Sequence, residues 1–247
     1  MKTILIIGGT SAIALAAVSV WLNRQATQIV LLGRDQERLI RVQNDLRLRH
    51  QNSRIEMDSF DISSTERIVA EAGSILQRFS PDVILIAHGW LAPQKESQEN
   101  LALAADALNI NGVSAVLWME ACSQYLESKG EGSLAIIGSV AGDRGRQSNY
   151  IYGASKALVA SYAEGLQHRF ANSKINITLI KPGPTESPMT EHLKASGMKL
   201  AKVETVGKDI VKAIDLGLPV VYSPKVWRWI MLVVRHLPQF IMHKTKL

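Results

Sequence analysis

Tyr152 and Lys156, in the run YGASK, stand four residues apart, a spacing that sets two side chains on one face of a helix. An ammonium held there favours the ionised form of the phenol and lowers its pKa, so that the phenol can give or take a proton. Tyr-x-x-x-Lys also recurs by chance as an exposed helical pair, and its meaning depends on its surroundings. Upstream, Ser139 stands at the end of the apolar run in IIGSVAG.

The elements that must position these groups are legible as an alternation. QIVLL precedes DQERLIRVQNDLRLR, RIEMDSF precedes STERIVAEAGSILQRF, and DVILIA precedes a long helical region through Tyr125. SLAIIGS, YGASKALVASYAEGLQHRF, KINITLI, a helix near Val206 to Leu216 and PVVYS follow. Short apolar runs alternating with amphipathic helices predict an α/β fold, a doubly wound parallel sheet with helices on both faces. Strands made almost wholly of Val, Ile and Leu are those covered on both sides. Ligands bind such sheets outside the carboxyl ends of the strands, and here those loops read GGTS, GRD, AHGW, GSVAGDRG and KPGPTESP.

The opening ILIIGGTSAIALAAV, with Lys2 in front, can be read as an export signal or as a strand, turn and helix. Gly8, Gly9, Thr10 and Ser11 interrupt the apolar segment that a signal keeps continuous, and they divide β-branched residues from alanine-rich ones. A membrane span, which needs about 20 apolar residues, is disfavoured by the same polar turn. If Ser11 opens a helix, free backbone N–H groups and the helix's positive end would face a bound phosphate. Equally, a glycine turn can serve backbone freedom alone.

The chain has 247 residues, 47% hydrophobic and 20% charged, enough for one substantial core and without a bias toward disorder. A single cysteine, Cys122, makes no internal disulfide and reads as a buried small apolar residue, so a cytoplasmic setting without structural zinc is expected. The net charge of +6 is not a general basic surface: Lys225, Arg228, Arg235, Lys244 and Lys246 lie after Pro224 with no Asp or Glu among them. Nucleic acid is therefore not an expected partner.

Together the glycine-rich first turn, the serine, Tyr-x-x-x-Lys and the later Pro182-Gly183 resemble the short-chain dehydrogenase/reductase family across nearly the whole chain. The resemblance implies that Ser139 holds the carbonyl or hydroxyl oxygen, that Tyr152 is the general acid/base, and that Lys156 tunes Tyr152 and binds the nicotinamide ribose. Asn109 in NING matches the family's Asn-x-x-Gly, whose asparagine helps a proton relay; an ordinary helix-entry asparagine is the alternative. A Rossmann-type dinucleotide-binding and catalytic domain over 1–223 is implied, with 224–247 as a basic amphipathic extension.

For the cofactor, the resemblance assigns the first turn (Gly8, Gly9, Thr10, Ser11, Ala12, Ile13), Asp61 and Ile62 near the adenine, and Ala87, His88 and Gly89 beside the adenosine. His88 departs from the family's Asn-Ala-Gly and reads as a packing or hydrogen-bonding residue. Pro182, Gly183 and Ser187 resemble the segment that covers the nicotinamide. Ala12 and Ala14 stand where glycines are usual, and their methyls can obstruct close backbone approach. Gly33 occupies the position where an NAD enzyme of the family places an acid, and Arg34 can bond the adenosine 2′-phosphate, so NADP(H) is the expected cofactor, while Asp35 reads as a helix N-cap.

The ending PVVYSPKVWRWIMLVVRHLPQFIMHKTKL is atypical of the family. At 100° per residue, Lys225, Arg228, Arg235 and His236 form one stripe, with Trp227, Trp229, Ile230, Val233, Val234 and Leu237 on the wide remainder, and Pro238 should stop the helix. Residues 225–236 suit a helix lying in a membrane surface, or one packed on the domain or on a second subunit of a homodimer or homotetramer. The tail, the GGTS opening and the Pro-Gly segment also resemble the decaprenylphosphoryl-ribose 2-epimerase reductase subunit group, which implies a polyprenyl-phosphate-linked keto-sugar as substrate. A soluble reductase of a small ketone or acyl thioester, and a non-catalytic NADP-binding sensor, are the competing expectations.

Overall fold

A computed structural model describes residues 1–25, 27–191 and 198–245. Strands β1 (Thr3–Ile7), β2 (Gln28–Gly33), β3 (Arg54–Ser59), β4 (Val83–Ile86), β5 (Glu131–Ile137), β6 (Lys174–Pro182) and β7 (Val220–Ser223) form one parallel sheet in the order β3-β2-β1-β4-β5-β6-β7. The strand order reverses between β1 and β4, the point where a doubly wound sheet opens a crevice for a ligand.

Between the strands run helices α1 (Ala12–Arg24), α2 (Gln36–Arg49), α3 (Thr65–Phe79), α4 (Gln94–Glu99), α5 (Leu101–Leu108), α6 (Ser114–Lys129), α7 (Tyr150–Arg169) and α8 (Val203–Asp215). Two apolar cores lie on opposite faces of the sheet. Alternate residues of β1 divide between them: Leu5 and Ile7 pack with Trp118 and Val159, while Ile4 and Ile6 pack with Val18 and Ile210. β3 lies at the edge and departs from the expected apolar pattern, with Arg54 and Ser59 exposed.

The first fifteen or so residues are thus strand, turn and helix rather than one apolar segment. The helical run 101–129 is long and apolar enough to cross a membrane by composition, yet α6 lies against the sheet with Trp118, Met119 and Cys122 fully buried. Burial also pushes the Cys122 thiol up, which keeps it protonated.

Helix α9 (Val226–His236) and the short α10 (Gln239–Met242) follow β7, and α9 ends before Pro238 as the sequence predicts. The helix is not simply appended. Trp227, Met231, Val234 and Leu237 turn toward the body, and a side chain on Gly183 would overlap the indole of Trp227. Of the arrangements open to this helix, Trp227 takes the one packed on the domain: its indole lies against Gly183.

Candidate active site

Three loops at the carboxyl edge of the sheet converge at its reversal point. The first follows β1. Gly8 has φ +99°, and a Cβ there would sit 2.6 Å from the amide nitrogen of His88, so glycine is required where β1 passes the end of β4. Both glycine amides donate to the Leu32 carbonyl, at 2.8 and 2.9 Å. Ser11 caps α1 by accepting from Ala14, while the amides of Thr10, Ala12 and Ile13 have no acceptor among the described residues. Those three donors at a helix N-terminus form a cradle for phosphate. Of the two alanines that replace glycine, Ala14 is wholly buried in the core, so its methyl fills protein space; Ala12 is partly exposed at the cradle.

At the end of β2 the bare α-carbon of Gly33 meets only ordinary contacts, with Leu39, so packing does not demand glycine there. Arg34 is exposed and makes no ion pair among the described residues. Asp35 caps α2 by accepting from Arg38, as expected. Asp61 does not cap α3, a role taken by Ser64; it accepts from the amide and hydroxyl of Ser63. These bonds and the charge of Arg34 hold its carboxyl below the usual range, although burial alone would raise it. Ile62 lies beneath, buried, its carbonyl accepting from the Trp118 indole at 3.0 Å.

The third region carries the titratable groups. Lys156 is only 3% exposed, its Nζ donates to the Ile137 carbonyl at 3.1 Å, and it lies 5.8 Å from the Tyr152 ring centroid. Burial lowers its pKa to about 8 and raises that of Tyr152 to about 12, with Ser139 acting on the phenol in the opposite direction. The Lys156 ammonium is bound to a backbone carbonyl and not directly to the phenol. Gly142 lets the turn after Ser139 lie directly on the backbone of Lys156 and Ala157, where a Cβ would come within 2.7 Å.

Asn109 is the residue the structure corrects. Its amide donates to the Ser63 carbonyl at 2.9 Å. Asn111 is instead fully buried in the site, accepting from the Trp90 amide and donating to the Trp90 and Ala107 carbonyls. A Cβ on Gly89 would lie 3.1 Å from its Oδ1 and 3.7 Å from Lys156 Nζ, so Gly89 is where Asn111 and Lys156 approach each other. A π-helical turn, Asn109–Val113, between α5 and α6 rotates Asn111 inward. Both asparagines of NING were visible in the sequence, but the π turn that chooses between them had no local signature.

Beside it, His88 bonds Ser114 Oγ through Nε2 at 3.0 Å, and burial together with the Lys156 charge lowers its pKa to about 3. It is thus a neutral packing group, in line with the reading of its position after Ala87. Ser187 pairs with Thr190 in a reciprocal cap of the short turn Pro188–Thr190. Pro182 and Gly183 lie at the end of β6, against the tail helix.

A family model described as short chain dehydrogenase matches residues 2–197. An uncharacterized oxidoreductase of Streptomyces coelicolor, from the mprA 5′ region, is 27% identical over 242 residues, covering 96% of this chain and 93% of that one. An uncharacterized oxidoreductase of Mycobacterium tuberculosis is 27% identical over 187 residues, 75% of this chain and 74% of its own. Among solved structures, a short-chain dehydrogenase from Sphingobium yanoikuyae in complex with NADPH superposes with a TM-score of 0.83 at 21% identity, covering 99% of this chain and 96% of that one. A bulky-bulky ketone specific alcohol dehydrogenase from Comamonas testosteroni gives 0.81 at 21% identity, with 99% and 95% covered. At these identities the structural likeness is one of fold.

Proposed function

Because the chain belongs to the short-chain dehydrogenase family, and is an oxidoreductase of that family, we propose that it reduces a carbonyl with NADPH, and that its substrate is the keto-sugar of a polyprenyl-phosphate-linked lipid met at a membrane surface. The observation that carries the catalytic part is the convergence of Ser139, Tyr152, Lys156 and Asn111 beside the reversal point of the sheet.

The residues present fit a nicotinamide dinucleotide: the Thr10, Ala12 and Ile13 amides suit its pyrophosphate. Arg34, which follows the bare Gly33 and makes no ion pair among the described residues, suits a 2′-phosphate and favours NADPH. When bound, the reduced nicotinamide supplies a hydride. Ser139 orients the carbonyl oxygen, and Tyr152, protonated at neutral pH, gives that oxygen its proton. Lys156 and Asn111 lie behind Tyr152, where they can hold the group that reprotonates it.

The lipid part rests on the tail. Outward from α9 and α10 stand Val226, Trp229 (66% exposed), Ile230, Leu232, Val233 (62%) and Phe240 (68%), with Lys225, Arg228, Arg235 and His236 also exposed. Apolar side chains with a basic rim match an anionic bilayer interface. The inner face of α9 meets Gly183 and places that surface beside the catalytic loops.

The test is NADPH oxidation against neutral ketones and against a short prenyl-phosphoryl keto-sugar, with Tyr152→Phe as control. Turnover lost in the variant supports catalysis by this site. NADPH binding without turnover on any carbonyl would instead favour a sensor, and preference for the soluble ketone would return the tail to subunit contact.

A further inference from the structure

We infer that Asp143 is a positioning residue: held by Lys181 on one oxygen and by Tyr222 on the other, it fixes the far end of the turn that begins at Ser139, and so aims the Ser139 hydroxyl at the substrate's oxygen. Such a role deepens the reductase reading and rests on it for the reaction that Ser139 serves.

Asp143 lies in the loop GSVAGDRG after β5, and Lys181 opens KPGPTESP at the end of β6. Asp143 Oδ1 accepts from Lys181 Nζ at 2.6 Å, and Oδ2 accepts from the Tyr222 hydroxyl at 2.7 Å. Lys181 and Tyr222 stand opposite each other in the register of β6 and β7, so both donors are presented by the sheet itself. The side chains of Lys181 and Asp143 are 6% and 2% exposed. A buried ion pair is a weak source of stability, because apolar side chains of like volume serve as well. What it supplies here is direction. A carboxylate with a separate donor on each oxygen has its plane fixed, and with it the backbone that carries it.

The turn between the sheet and Asp143 is fixed at both ends to adjacent residues of β6. At its entrance the Gly138 amide donates to the Ile180 carbonyl at 2.7 Å, and at its exit Asp143 is bonded to Lys181. Ser139 lies between the two. Its Oγ accepts from the Ala141 amide at 3.0 Å, and its carbonyl accepts from the Gly142 amide at 3.2 Å. The hydroxyl is thus aimed by an amide two residues before Asp143, and it keeps its own proton to donate to a carbonyl oxygen. Release of Asp143 would move the Ala141 amide and the hydroxyl with it. From outside, Arg144 donates to the Arg235 carbonyl at 2.7 Å, so the tail helix closes over the same turn.

The experiment uses the full chain with NADPH and a neutral ketone, comparing Asp143→Asn and Tyr222→Phe, each alone and combined with Ser139→Ala. Asp143→Asn should lower kcat by about ten- to a hundredfold, the scale of a misplaced reacting group, and Tyr222→Phe by less, with NADPH affinity kept. Because the effect passes through the Ser139 hydroxyl, neither substitution should lower kcat further once Ser139 is alanine. A residue that merely supports the fold would lower it by the same factor in both backgrounds. Hydrogen exchange reads the turn without turnover: the Ala141 and Gly142 amides should exchange at least about tenfold faster in Asp143→Asn, with those inside α1 unchanged. If Asp143→Asn is not folded by circular dichroism, Tyr222→Phe, which keeps the ion pair, takes its place in both measurements. Equal losses in the two backgrounds, an unchanged kcat, or undisturbed exchange at Ala141 and Gly142 would overturn the role of Asp143. A wild-type protein that reduces no ketone would remove the reductase reading instead, and exchange would then decide by itself whether Asp143 holds the turn.

Discussion

Tyr152 is a phenol and so is protonated at neutral pH, and burial raises its pKa further; a proton donor is what carbonyl reduction needs. Removing that hydroxyl in Tyr152→Phe should lower kcat by at least about 10²-fold with NADPH binding retained, as steady-state rates and cofactor fluorescence would show. Lys156 titrates at about 8, so kcat/KM for reduction should decline as pH rises through that value and the ammonium is lost. Stability moves the other way. The folded value lies below the 10.5 of an unperturbed lysine, so between about pH 8 and 10.5 the unfolded chain binds more protons and this group's contribution favours folding increasingly as pH rises. A parallel loss of activity and of thermal stability over that window would show unfolding rather than titration of Lys156. Arg34→Ala should weaken NADPH by about ten- to a hundredfold and NADH little, on the scale of about 1.5–3 kcal/mol for a charge-assisted hydrogen bond. Equal weakening of both cofactors would deny Arg34 the 2′-phosphate.

At the level of elements, the contact between Gly183, just after β6, and Trp227 of α9 links the Pro182-Gly183 segment to the tail. Gly183→Ala places a methyl against the Trp227 indole, an overpacking expected to cost about 1–3 kcal/mol and to lower Tm by about 2–4 °C for each kcal/mol. Trp227→Ala in the same background should recover part of that loss, since it removes the clashing ring. Additive losses in the double variant would mean that the two residues do not meet. The π turn Asn109–Val113 is the other element with a local consequence, because it alone brings Asn111 rather than Asn109 to Gly89.

For the whole molecule, the exposed apolar side chains of α9 and α10 and their basic neighbours form one surface beside the active-site loops. The protein should pellet with vesicles containing anionic lipid and less so as salt rises, since about 1 kcal/mol per basic residue near the surface is screened while apolar burial is not. Truncation after Ser223 should abolish pelleting. A truncated protein that changes its oligomeric mass, with no vesicle binding in either form, would identify the surface as a contact between copies. Trp229 and Ile230 carry the apolar part of this prediction, and Trp227 is excluded from it by its seat on Gly183.

The alternation of apolar runs with amphipathic stretches by itself determined the parallel α/β sheet, because strands buried on both faces must be uniformly apolar and the crossovers between them helical. The glycine turn after β1, the caps at Ser11 and Asp35 and the end of α9 before Pro238 were likewise readable, each depending on residues adjacent in the chain. Ser139, Tyr152 and Lys156 stood out in the sequence through the family resemblance, since the Tyr-x-x-x-Lys spacing alone recurs by chance. What depends on distant residues was decided only by the tertiary structure. Asn111 took the buried place beside Gly89 through a change in helical winding, and the inward side of α9 was chosen by the bare α-carbon of Gly183, directly after β6.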